Sequence, residues 1–223
     1  MEKIDIRDCF PVMNGGDGVI LSKRGDICVG WEMSLPPAFR CNEEKYDSII
    51  STLNAAIALL PDYSIVHKQD TYMKKKYASE KANGLLDEAY ERHFDGREYL
   101  DHRCRVFVTF SNKNNVKGSP SGIAGMGAGK VPGSEGIVRM LGAAEQFESV
   151  VNSNPLLELK RLAEKDIFGN EETPGILQDY LNFTDGGEDV LSDIAATGAA
   201  VTVGDKRVGC HLIADLDQLP AEV

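Results

Sequence analysis

Between residues 42 and 60, apolar side chains recur at Tyr46, Ile49, Ile50, Leu53, Ile57 and Leu60. That i, i+3, i+4, i+7 spacing predicts a helix with one apolar side. Asn42 suits its N-cap, and Glu43 and Glu44 suit the positive end of the helix dipole. Pro61-Asp62 ends it. Tyr63, Ile65 and His67 then alternate with Ser64, Val66 and Lys68, the period of a strand. A helix feeding a strand through a two-residue break is one unit of an α/β layer, and the other segments read as pieces packed around it.

Upstream, Lys3 to Val12 reads as a short strand and Gly18 to Leu35 as a hairpin. Its turn is Lys23-Arg24-Gly25-Asp26, whose glycine supplies a positive φ. Pro36-Pro37 closes the second strand. Residues 80–99 read as a second helix, with Leu85, Leu86, Ala89, Tyr90 and His93 or Phe94 on one side. Arg103 to Ser111 is β-branched and aromatic, hence a strand. Residues 112–132 are rich in Gly, Asn and Ser without a period and predict a long mobile loop. Helix resumes after Ser134 as N-cap. Asn154-Pro155 predicts the start of another helix, running to about Phe168. Thr173-Pro174 repeats the device for Gly175 to Phe183. An acidic linker follows, and then a closing hairpin over 198–214 with its turn at Gly204-Asp205-Lys206.

This order predicts an α+β fold: a mostly antiparallel sheet with helices packed on one face and a closing C-terminal hairpin. Residues 1–111 form an N-terminal lobe and 112–133 a flexible loop. Residues 134–223 form a helical segment plus the hairpin, within the same domain.

The chain has 223 residues, room for one large domain or two small lobes. No apolar run approaches the roughly 20 residues of a membrane helix. Charges at Glu2, Lys3, Asp5, Arg7 and Asp8 leave no signal-peptide pattern. The net charge of −11 argues against a general duplex-DNA binder, which needs a basic face. Cys9, Cys28, Cys41, Cys104 and Cys210 are odd in number and dispersed, the usage of reduced cytosolic thiols rather than of a disulfide framework.

Chemistry has four candidate locations. Ala124 to Lys130 (AGMGAGK) has the glycines and lysine of a phosphate loop. It lacks the Mg²⁺-binding hydroxyl that should follow, and Pro132 disfavours a helix starting there. His93, His102 and Cys104, with Asp95 or Asp101, are metal-ligating types, but without the two close ligand pairs usual for zinc. His211 with Asp215 and Asp217 offers acid–base groups and no nucleophile motif. Lys74-Lys75-Lys76 between Tyr72 and Tyr77 combines basic and aromatic residues, which bind single strands or acidic lipid surfaces; the bland alternative is a solvated strand end. The acidic stretch Asp185 to Asp193 lacks the ligand order of a calcium loop. No catalytic, cofactor-binding or metal residue is assigned from these four.

Several segments together resemble a known family. ALLPDYSIVHKQDTYMKKKY, YERHFDGREYLDHRCRVFVTF, GAAEQFESV and VGDKRVGCHLIADLDQLP are similar, in this order, to segments of TraG-type conjugation ATPases. These are the VirB-type motors of type IV secretion in Bacteroidetes conjugative transposons. The early GVILSKRGDICVGWEMSLP fits as well, so the likeness spans nearly the whole chain. It implies the non-catalytic N-terminal module of a longer protein whose ATP- and Mg²⁺-dependent motor domain is absent here. It also implies a place at the cytoplasmic face of the inner membrane. There the module would dock the motor onto membrane subunits of the channel and support a hexamer. No catalytic residue carries over, and there is no strong nucleic-acid signal. Contact surfaces expected on this reading are the Trp31–Phe39 hairpin exit and the Tyr72–Tyr77 patch. The alternatives are a stand-alone adaptor and a small nucleotide-binding protein using residues 124–130.

Overall fold

The computed structural model describes residues 12–37, 40–81, 84–111, 132–170, 173, 175–177, 194–196, 201–203, 206–209 and 211. Two hairpins begin the sheet. β1 (Val12–Gly16) and β2 (Val19–Ser22) join at Asp17-Gly18, with φ of 52° and 74°. Two successive left-handed residues are what a tight two-residue hairpin demands, and Asp-Gly supplies them. β2 and β3 (Ile27–Ser34) join at residues 23–26. Gly25 takes a φ of 81° as its sequence implies, and the Ser22 hydroxyl accepts from the amides of Arg24 and Asp26.

β3 is the centre of the sheet. One side of it pairs with β5 (Glu98–Phe110). The other side pairs with β2 along its first half and with β6 (Glu158–Arg161) along its second. β4 (Ser64–Lys76) pairs with β5 over thirteen residues, from Ser64↔Phe110 to Lys76↔Glu98. The order is β1-β2-β3-β5-β4 with β6 on β3, and every pairing is antiparallel. The fold is α+β, as the sequence predicts.

Helices α1 (Glu43–Ala58) and α3 (Ser134–Asn152) cover one face. Asn42 caps α1, its side chain accepting from the Lys45 amide at 3.2 Å. Val29, Trp31 and Val108 from the strands meet Ala144, Phe147 and Val151 of α3, all buried. Trp31 is fully buried, stands 5.6 Å from the Phe147 ring, and donates from Nε1 to Glu148 at 2.8 Å. The opposite face is close-packed at Gly30, where a Cβ would lie 2.8 Å from the Phe107 ring and 2.9 Å from Leu162. Buried Asn154, in the turn after α3, donates to Ser48 and Thr52 of α1 at 3.1 and 2.9 Å.

Four expected elements differ. The helix predicted from Pro155 to Phe168 is instead a turn, then β6, then a short helix α4 (Glu164–Phe168). Asn154 caps the turn by accepting from the Leu156 amide, and Leu157 and Leu159 enter the core two residues apart, the strand period. The helix expected over 80–99 is only α2 (Leu85–Phe94), because Gly96 turns the chain with a φ of 71° into β5. β5 accordingly begins five residues before Arg103. β4 also outruns its short predicted form.

Two compact units divide the chain at residues 164 and 165. The sheet and α1 to α3 belong to the first. The second holds a three-stranded antiparallel sheet, β7 (Ile194–Ala196), β8 (Val201–Val203) and β9 (Lys206–Val208). β8 and β9 form the closing hairpin, with Val203 opposite Lys206. β7 lies before the residues 198–214 over which the sequence predicts strand. The loop expected over 112–132 lies outside the described residues except for Pro132. So does most of the helix expected from Gly175 to Phe183, with only Ile176 and Leu177 described as helical.

Candidate interaction surface

Beyond Arg105, β5 leaves β3 behind. Asp70–Lys76 and Glu98–Cys104 continue as a two-stranded arm, with α2 in the connection at its tip. Side chains alternate across the pleat, so Tyr72, Lys74, Leu100 and His102 lie on the sheet face that the helices cover further along.

α2 is fastened by its polar side. The Tyr77 hydroxyl donates to Glu91 at 2.9 Å, and the Glu80 amide donates to the same carboxylate at 2.9 Å. The Ser79 amide donates to Asp95 at 3.1 Å. Phe94 packs against Tyr90 at 4.6 Å, with the Arg97 guanidinium over its ring at 5.4 Å. Glu91 beside the phenol raises the pKa of Tyr77. No residue of α2 is buried, and Leu85 and Leu86 are each 85% exposed. Ten residues make a marginal helix alone. This one holds its place by hydrogen bonds while its leucines face outward.

The inner part of the arm carries a polar cluster. Lys68 pairs with Asp70, and Asp70 also faces His102 Nε2 at 2.9 Å. Tyr72 stacks on His102 with ring centroids 4.5 Å apart and planes 10° apart. Lys68 holds the Asp70 carboxyl down to about 2, with His102 assisting against some burial. Burial pushes the Cys104 thiol up to about 11, so it is protonated and unreactive near neutral pH. Further out, Lys74 pairs with Glu98 at 2.6 Å and Lys75 with Asp101 at 2.9 Å, which Arg103 also approaches at 3.6 Å. Lys75 lowers the Asp101 pKa.

The basic-aromatic patch of the sequence therefore has little net charge. Of its three lysines, two meet carboxylates, and Lys76 has no acidic partner among the described residues. Tyr77 is half-buried against Glu91 rather than presented outward. The hairpin exit is reduced in the same way. Trp31 belongs to the core, Leu35 is exposed, and Ala38 and Phe39 lie outside the described residues. His93 sits edge-on to Phe94 while His102 is engaged by Tyr72 and Asp70, so the two histidines have different surroundings. Among the described residues, no three His, Cys, Asp or Glu side chains are placed to hold a metal. His211 is exposed, whereas Asp215, Asp217, the Gly-rich 124–130 and Asp185 to Asp193 lie outside the described residues. Among the described cysteines, Cys28, Cys41 and Cys104 are free.

The apolar side that the sequence predicts for this helix stays uncovered: Leu85, Leu86 and Tyr90, which share it, are all exposed. No described helix is long and apolar enough to cross a membrane. A scan of protein-family models finds no match to the chain, and a search of curated proteins finds none either.

Proposed function

We propose that this chain is a non-catalytic docking module, the N-terminal part of a conjugative-transfer ATPase of the type IV secretion kind. It places the motor on inner-membrane channel subunits at the cytoplasmic face and supports motor assembly. The observation that carries docking is the arm: a two-stranded ribbon with Leu85 and Leu86 exposed at its tip, on a helix that contributes no buried residue to the core. Contiguous exposed apolar surface marks interaction sites, and Leu85, Leu86 and Tyr90 on this helix are all exposed. The conjugation setting rests on the co-linear resemblance of the sequence segments.

Two experiments test this reading. Reading the frame past Val223 should reveal, some hundreds of residues on, a GxxxxGK[ST] motif after a strand; a stop codon there removes the motor. In the full-length protein, Leu85→Glu with Leu86→Glu should leave expression unchanged and abolish recovery with the membrane fraction. Normal fractionation and normal DNA transfer by that variant would overturn the docking role of the arm.

A further inference from the structure

A second apolar surface lies on α1. Tyr46, Ile50, Leu53, Ile57 and Leu60 advance by 4, 3, 4 and 3 residues, the spacing by which one helix packs along another. The core uses only part of this seam. Leu53 and Leu60 pack against it, with Ile49 and Ala56 beside them. Tyr46, Ile50 and Ile57 stay 46%, 53% and 43% exposed. Ser48 and Thr52, on the opposite flank of α1, receive Asn154 from the turn after α3. The open stripe is therefore on the side turned away from α3.

Charge selects the occupant. At 100° per residue, Glu43 and Asp47 fall on the outer flank of the stripe, and both are exposed. α1 has three acids, Glu43, Glu44 and Asp47, against one base, Lys45, and no base in its last turn. The Lys45 ammonium is already engaged, donating to the Arg40 carbonyl at 2.9 Å. A second copy that pairs through its own α1 brings no base to this flank: parallel pairing sets acid against acid, and antiparallel pairing sets acid against uncharged Ala55 to Ala58. An anionic lipid surface repels the same flank.

We infer that α1 docks a basic amphipathic helix of a partner protein. Its apolar side packs along Tyr46, Ile50 and Ile57, and its Lys or Arg flank meets Glu43 and Asp47. This inference concerns α1 and does not use the arm.

The test uses the whole 223-residue chain and a fluorescein-labelled peptide of about three heptads, with Leu at a and d and Lys at e and g. A second peptide carries Glu in place of Lys. By anisotropy, the Lys peptide should bind at least about tenfold more tightly than the Glu peptide. Ile50→Glu should lose at least about tenfold, although the added acid alone would strengthen attraction to lysine. Glu43→Lys with Asp47→Lys should reverse the preference between the peptides. Leu86→Glu, on the arm, should change nothing, so failure here leaves arm-dependent membrane recovery separately testable. Because Ile50 is exposed, Ile50→Glu should keep the wild-type melting curve, which checks that it is folded. Equal binding of the Lys peptide to Ile50→Glu and wild type, or no binding to either, overturns the inference. So does a dimer in sedimentation velocity that Ile50→Glu abolishes, since the stripe would then serve a second copy.

Discussion

The two halves of the β4–β5 ladder share one unbroken register and hold together in different ways. In the inner half, Val108 and Phe110 are buried beneath the helix layer and β3 flanks β5. In the outer half, the cross-strand ties are exposed ion pairs, Lys74 with Glu98 and Lys75 with Asp101, and the Tyr72–His102 stack. Burying a valine or phenylalanine contributes about 1.5–3 kcal/mol, whereas an exposed ion pair contributes about 0–1 kcal/mol. Stability thus resides in the inner half. The outer half is free to carry residues chosen for contact, because losing them costs the fold little.

Trp31→Ala removes the ring that packs on Phe147 and strips Glu148 of its donor, and should cost about 3–5 kcal/mol in urea denaturation. Leu86→Ala should stay within about 0.5 kcal/mol of wild type. A large loss at Leu86 would mean that the arm tip packs against the fold, and the division between the halves would collapse.

A smaller effect probes how α1 is fixed to the inner half. Asn154→Ala leaves Ser48 and Thr52 without their shared donor, frees the Leu156 amide, and should cost about 1–3 kcal/mol by the same measurement. A neutral result would assign the seating of α1 to its apolar contacts alone.

The same contrast explains what was legible in the sequence. α1 and the β2–β3 hairpin were readable because their signals are local: an N-cap at Asn42, a helical apolar period, and Gly25 in the turn. β4 was read short because Lys68, Asp70 and Lys74 to Lys76 put charge on both faces, and the alternation that marks a half-buried strand disappears. β6 was read as helix because Leu156, Leu157, Leu159 and Leu162 fit a helical stripe as well as a strand. Pairing with β3 settles it, and that contact is remote in sequence. The meeting of Asp70 with His102 has the same origin. The two are 32 residues apart, brought opposite by the register that the α2 excursion sets. The exposed stripe on α1 was hidden for the opposite reason. Its period is so regular that every apolar residue appears to face the core, and only the burial of each side chain divides the seam.

Asp70 stands at the border between the halves, opposite Cys104. Asp70 has a carboxyl pKa of about 2, below its ordinary 3.8, because Lys68 and then His102 favour the charged form. A folded-state pKa below the unfolded one adds stability above about pH 4, and that stability fades as pH falls towards 2. Asp70 is substantially open to solvent, so screening holds the contribution below about 1 kcal/mol. Asp70→Asn should therefore be slightly less stable than wild type at pH 7, and the gap should close by about pH 2. Added salt at pH 7 should narrow it too. A gap that persists unchanged at pH 2 would mean that Asp70 acts by packing beside the Tyr72–His102 stack. The covered, inner kind of stabilisation would then reach further along the arm than its ion pairs suggest.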